Sequence, residues 1–233
     1  MRSMLLVFSL MCLSAPSLAH DLWIERTIEG LEVRYGHARS GHEGDELLAY
    51  GPEMIRRMDC VDAAGERSDP EWSGETPVRI PGECAAVFVL ASTGFWSKTT
   101  EGTRNVPKKD SQSPLKSWQS FESAKRIDRW GEALARPFTP DLEITPVENP
   151  LVLAPGDKVH LLVTFAGEPV GGATVTYDGQ PRGLTGKDGR VNLKIRHEGF
   201  QVIQAGLTVP INSEDADEII HTTNLNFEIG GWK

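Results

Sequence analysis

The sequence predicts an all-β protein: two β-sandwich domains with one connecting helix. Three observations carry that expectation. Short apolar or alternating runs recur along the chain, and turns rich in Gly, Pro, Asn and Asp separate them. One long stretch breaks the pattern with apolar residues at helical spacing.

The 233 residues open on Arg2 and an apolar run, Met4 to Cys12, followed by Ser17-Leu18-Ala19. This is the layout of a secretory signal peptide over residues 1–19, cut after Ala19, which places the mature chain in the periplasm. A lipid anchor on Cys12 is the alternative, but Ser9-Leu10-Met11 lacks the small residues such a site prefers. The leader removes one basic residue and no acid, so the net charge of −9 becomes −10. That balance argues against nucleic acid and anionic membrane as partners. No other apolar run reaches the roughly 18 residues of a membrane helix, so no membrane insertion is expected after cleavage. With Cys12 in the leader, Cys60 and Cys84 remain, an even pair in an exported chain and hence an expected disulfide.

The first sandwich domain is expected over 20–104. Leu22–Ile24 and Leu31–Tyr35 read as strands around the loop Thr27-Ile28-Glu29-Gly30. Met54–Val61, Thr76–Ile80 and the buried run Ala85–Ala91 read as further strands. A polar stretch, Thr99–Ser113, leads into the expected helix over 114–135, within a linker spanning 105–140. Ser113 can cap this helix and Pro114 suits its first position. Leu115, Trp118, Phe121, Ile127, Trp130 and Leu134 form its apolar stripe, and Pro137 and Pro140 end it.

The second sandwich domain is expected over 141–233. Asn149-Pro150 and Pro155-Gly156-Asp157 are turns around Leu151–Leu153. Val159, Leu161, Val163 and Phe165 alternate on one face. Turns at Glu168–Gly172 and Lys187–Arg190 introduce strands Ala173–Tyr177 and Val191–Ile195. The phrase from Val163 to Ala205 resembles transthyretin-like and collagen-binding sandwich modules, which implies an immunoglobulin-like or transthyretin-like fold and no particular activity.

Six histidines carry the functional reading. With Thr27–Gly30 as a four-residue loop, Arg26 faces Leu31, Ile24 faces Val33, Leu22 faces Tyr35, and His20 faces His37. Opposed residues of antiparallel strands project to one face with β-carbons about 4.5–5.5 Å apart, so two imidazoles can meet one ion. Cleavage after Ala19 would add the α-amine of His20, a chelating partner that an internal histidine lacks. His42 follows in the glycine-rich segment Gly36–Gly44, which can fold back towards the pair. His221 is in phase with Leu225, Phe227 and Ile229, so it faces inward, either as a core residue or as a site member. His160 is out of phase with its apolar neighbours and reads as solvent-facing. His197 lies in a turn and has no partner by spacing. Nitrogen donors favour nickel or cobalt, and copper and zinc accept them too. No Gly-x-Ser-x-Gly, His-Glu-x-x-His or phosphate-binding glycine loop is present.

His20-Asp21-Leu22-Trp23-Ile24-Glu25, Tyr35-Gly36-His37, and the phrase from Asn149-Pro150 through Pro155-Gly156-Asp157 to Phe165-x-Gly167-x-Pro169 resemble periplasmic proteins associated with nickel and cobalt uptake. The turn Thr185–Val191 continues the likeness. The resemblance implies a non-enzymatic protein that captures nickel or cobalt for an inner- or outer-membrane transporter. His20 and His37 would be ligands, with His42 and His221 as the further candidates. The segment Gly94–Gly102 matches only part of that family. Two other readings compete: a copper enzyme built on an amino-terminal histidine chelate, and a structural or adhesive sandwich module. Metal content after periplasmic purification separates the three.

Overall fold

The computed structural model describes residues 20–38, 47–72, 74–80 and 84–230. The described residues form sixteen strands: β1 (Asp21–Thr27), β2 (Gly30–Gly36), β3 (Ile55–Val61), β4 (Arg67–Ser68), β5 (Arg79–Ile80), β6 (Ala86–Thr99), β7 (Gly102–Arg104) and β8 (Lys116–Ile127), then β9 (Glu143–Pro146), β10 (Lys158–Phe165), β11 (Glu168–Pro169), β12 (Thr174–Tyr177), β13 (Gln180–Leu184), β14 (Arg190–Lys194), β15 (Gly199–Pro210) and β16 (Glu218–Ile229). Helical structure among the described residues is confined to four 3-10 turns of three or four residues.

Nine strands make a central sheet in the order β13-β12-β15-β16-β8-β6-β3-β4, with β7 paired to β6. A small sheet, β1-β2-β5, covers one face, and a second, β11-β10-β14 with β9, covers the other. Period-two alternation makes this stack possible. In β6, Val87, Val89 and Ala91 pack with Leu22, Ile24, Leu31 and Val33 of the first small sheet. Ala86 and Phe88 pack with Val159, Leu161 and Val163 of the second. The result is a pair of β-sandwiches that share their middle layer. Strands from 20–104 and from 141–233 both enter the shared sheet, and β8 joins the two groups.

The helix expected over 114–135 does not form. β8 occupies most of it, antiparallel to β6 and parallel to β16, and only Glu132–Ala135 makes a 3-10 turn. Trp118 and Phe121, three residues apart, therefore project from opposite faces of the sheet. The apolar period failed because β8 buries polar groups on both faces: Ser117, Glu122, Ser123, Lys125 and Arg126 are all buried. Partners from elsewhere in the chain satisfy most of them. Lys125 lies 2.7 Å from Glu143, and Ser123 Oγ donates to the Leu142 carbonyl. Two flanking strands supply backbone hydrogen bonds along the whole length of β8, which outweighs any local helical preference. The expected strand over 76–80 shortens to Arg79–Ile80, paired with β2.

The disulfide between Cys60 and Cys84 forms as expected and joins β3 to the residue just ahead of β6. Buried polar groups seat β1 on the central sheet. Asn224 Nδ2 donates to the Leu22 carbonyl at 2.8 Å, and the Ile24 N–H donates to Asn226 Oδ1 at 3.0 Å. Arg126 Nη1 donates to the Ile24 carbonyl at 3.3 Å. These bonds hold the backbone of a strand whose only strand neighbour among the described residues is β2, and they fix where its first residues lie.

Candidate metal centre

The β1–β2 hairpin has the register expected from its loop: Leu22 opposite Tyr35, Ile24 opposite Val33, Arg26 opposite Leu31. The last ladder pair is Asp21 with Gly36, and His20 and His37 follow it on one side. Gly36 has a φ of +144°, a conformation that side chains disfavour, and lets the chain leave β2 there. The two imidazole centroids are 5.0 Å apart, with the rings inclined at 62°. An imidazole nitrogen about 2.0–2.1 Å from an ion puts its ring centroid about 3.2 Å from that ion. Centroids 5.0 Å apart then subtend about 100° at a shared ion, close to the angles of octahedral and tetrahedral sites. Two imidazoles that each directed a nitrogen at one ion would have this spacing.

Tyr35, on the same face two residues before His37, reaches the first imidazole. Its hydroxyl is 3.2 Å from His20 Nδ1, and the two rings meet edge to face. Burial, with help from nearby His37, lowers the pKa of His20. That shift favours the neutral ring, the form whose lone pair a metal needs. Asp21 points from β1 towards β15. Its Oδ1 accepts from Gln204 Nε2 at 2.6 Å and its Oδ2 from the Ala38 N–H at 3.3 Å. Burial raises its pKa, partly offset by those hydrogen bonds and by the two histidines. The Tyr35 phenol is raised strongly, first by burial and then by Glu122 and Asp21.

Glu122 comes from β8, on the face that meets β1 and β2. Burial, opposed by a bond from Ser120 and joined by the charge of Asp21, pushes its pKa up to about 7. Sequence reasoning did not find Glu122, because it assigned the residue to a helix. Tyr35 was within reach of the same period-two argument that paired the histidines.

The remaining histidines are elsewhere or undescribed. His42 lies outside the described residues. His221 does face inward, but towards the second small sheet, between Phe121 at 5.5 Å and Phe165 at 4.6 Å. That is the opposite face of the central sheet from His20 and His37. His160 pairs with Glu148 at the surface. His197 does have partners: its Nε2 is 2.8 Å from Asp178 Oδ2 and its Nδ1 is 2.7 Å from the Glu198 carbonyl, so both ring nitrogens are engaged. Gly94–Gly102 forms the outer part of β6 and its turn into β7, where Trp96 stacks on Trp118. Among the described residues, no three His, Cys, Asp or Glu side chains are grouped closely enough to hold an ion. A third donor would have to come from outside those side chains, such as the His20 α-amine of a cut chain or water.

A family model described as a domain of unknown function, DUF4198, matches residues 17–209. No curated protein and no solved structure matches the chain.

Proposed function

The chain belongs to the DUF4198 family, whose function is unknown, and from its own residues we propose that it is a non-enzymatic periplasmic protein that binds nickel or cobalt and passes the ion to a membrane uptake transporter. One observation carries the reading. Two imidazoles, one of them shifted by burial towards its neutral form, stand opposite each other with ring centroids 5.0 Å apart. The leader-like residues 1–19 support it, because cleavage after Ala19 would give His20 a free amine next to its ring. The amine, the His20 ring and the His37 ring then make three nitrogen donors, a set that favours late first-row dications over calcium or magnesium.

Calorimetric titration of the mature protein with nickel and cobalt tests the reading. His37→Ala should weaken binding at least tenfold, and His160→Ala should leave it unchanged. One extra residue ahead of His20 converts the amine to an amide and should also weaken binding. Equal affinity of the native and extended chains would remove the amine from the donor set, and equal affinity of His37→Ala and the native protein would end the proposal. Binding should fall below about pH 6.5, where protons compete for imidazole.

A further inference from the structure

Five charged side chains among the described residues are buried: Asp59, Glu122, Lys125, Arg126 and Glu143. Four have ionic partners. Asp59 pairs with Arg57 at 2.8 Å, Lys125 with Glu143 at 2.7 Å, and Arg126 with Asp128 at 2.8 Å. Glu122 is the exception. It is 6 % exposed, its Oε1 accepts only from Ser120 Oγ at 3.3 Å, and its Oε2 meets no donor among the described residues. Among the described residues, its electrostatic neighbours are Asp21, which adds negative charge, and Tyr35, whose raised pKa keeps the phenol uncharged, so neither balances it. A buried carboxylate in this position costs stability unless a cation answers it. Tyr35 touches His20, and Asp21 lies within the field of both His20 and His37. The uncompensated charge therefore lies beneath the hairpin that carries both imidazoles and is linked to them through Tyr35 and Asp21.

We propose that Glu122 is the counter-charge of the ion bound at His20 and His37, acting across Tyr35 and Asp21 without ligating the ion itself. This rests on the reading of that pair as a metal site. A dication on neutral nitrogen donors brings a charge of +2, and the carboxylates of Asp21 and Glu122 together balance it. The arrangement favours divalent over monovalent ions, because attraction to a fixed charge scales with the charge of the ion.

The test uses Glu122→Gln in the mature protein at pH 8, with nickel and silver(I) titrations and the melting temperature of the metal-free form. Nickel affinity should fall about tenfold or more, and silver(I) affinity by about the square root of that factor. The metal-free variant should melt no lower than the native protein, since it loses an unanswered buried charge. A nickel affinity equal to native, with His37→Ala still defective, overturns the role of Glu122 and leaves the histidine site standing. Equal losses for both ions, a lower melting temperature, or failure of the variant to fold would make Glu122 structural and overturn the inference. Absence of nickel binding by the native protein defeats the histidine site first, and this inference with it.

Discussion

In metal-free protein, Glu122 should make stability depend on pH by an amount that follows from its surroundings. Burial raises its pKa from 4.5 unfolded to about 7 folded. The folded state thus holds this proton more tightly than the unfolded chain does. The stabilisation is complete below the unfolded value of 4.5 and is lost as pH rises through 7. A shift of that size corresponds to about 3 kcal/mol between pH 4 and pH 8.5. Asp21, raised by burial, adds a loss of the same sign as pH rises. His20 and His221, both lowered, act in the other direction: the stability they contribute is present above pH 6.5 and lost as pH falls. Comparison of native protein with Glu122→Gln cancels most of these contributions. Urea unfolding of both chains in chelator, across pH 4 to 8.5, should show the variant gaining about 3 kcal/mol relative to native over that range. A difference that stays flat with pH would mean that Glu122 is hydrated or paired, and the account of its burial would be wrong.

The parts of the fold legible in the sequence are those governed by short-range rules. The loop Thr27–Gly30 fixes the register of the first hairpin, and with it the pairing of Leu22 with Tyr35. Reading residues 1–19 as a leader leaves an even pair of cysteines, and these form the Cys60–Cys84 bond. β8 was not legible, because its pattern answers to residues far away in sequence. Lys125 belongs on the face it occupies only because Glu143 is there, and Arg126 on the other only because Ile24 and Asp128 are. A strand covered by a sheet on each face has no solvent side, so polar residues on it do not mark exposure.

The same three-layer stack explains what could be read of the site. The phase of His221 correctly indicated an inward position, but this sheet has two interiors, and period two cannot say which of them holds a given side chain. His20 and His37 were readable because one hairpin carries both. Glu122 reaches their neighbourhood only through the packing of β8 under β1, a contact between residues about a hundred positions apart.

Two further substitutions probe that packing. Lys125→Met should destabilise the protein by about 3–5 kcal/mol in urea unfolding, since it strands Glu143 in a fully buried position. A loss below about 1 kcal/mol would mean that the bonds from Thr139, Thr145 and the Phe138 N–H suffice for that carboxylate. Asn226→Ala leaves the buried Ile24 N–H without its acceptor, which should cost about 1–3 kcal/mol and speed amide exchange at Ile24. Because β1 has a strand neighbour on one side only among the described residues, this loss should also let its first residues shift, weakening nickel binding although Asn226 lies far from the histidines. Unchanged exchange at Ile24 would show that water or another side chain takes over the bond, and that β1 is seated by its apolar contacts with the central sheet instead.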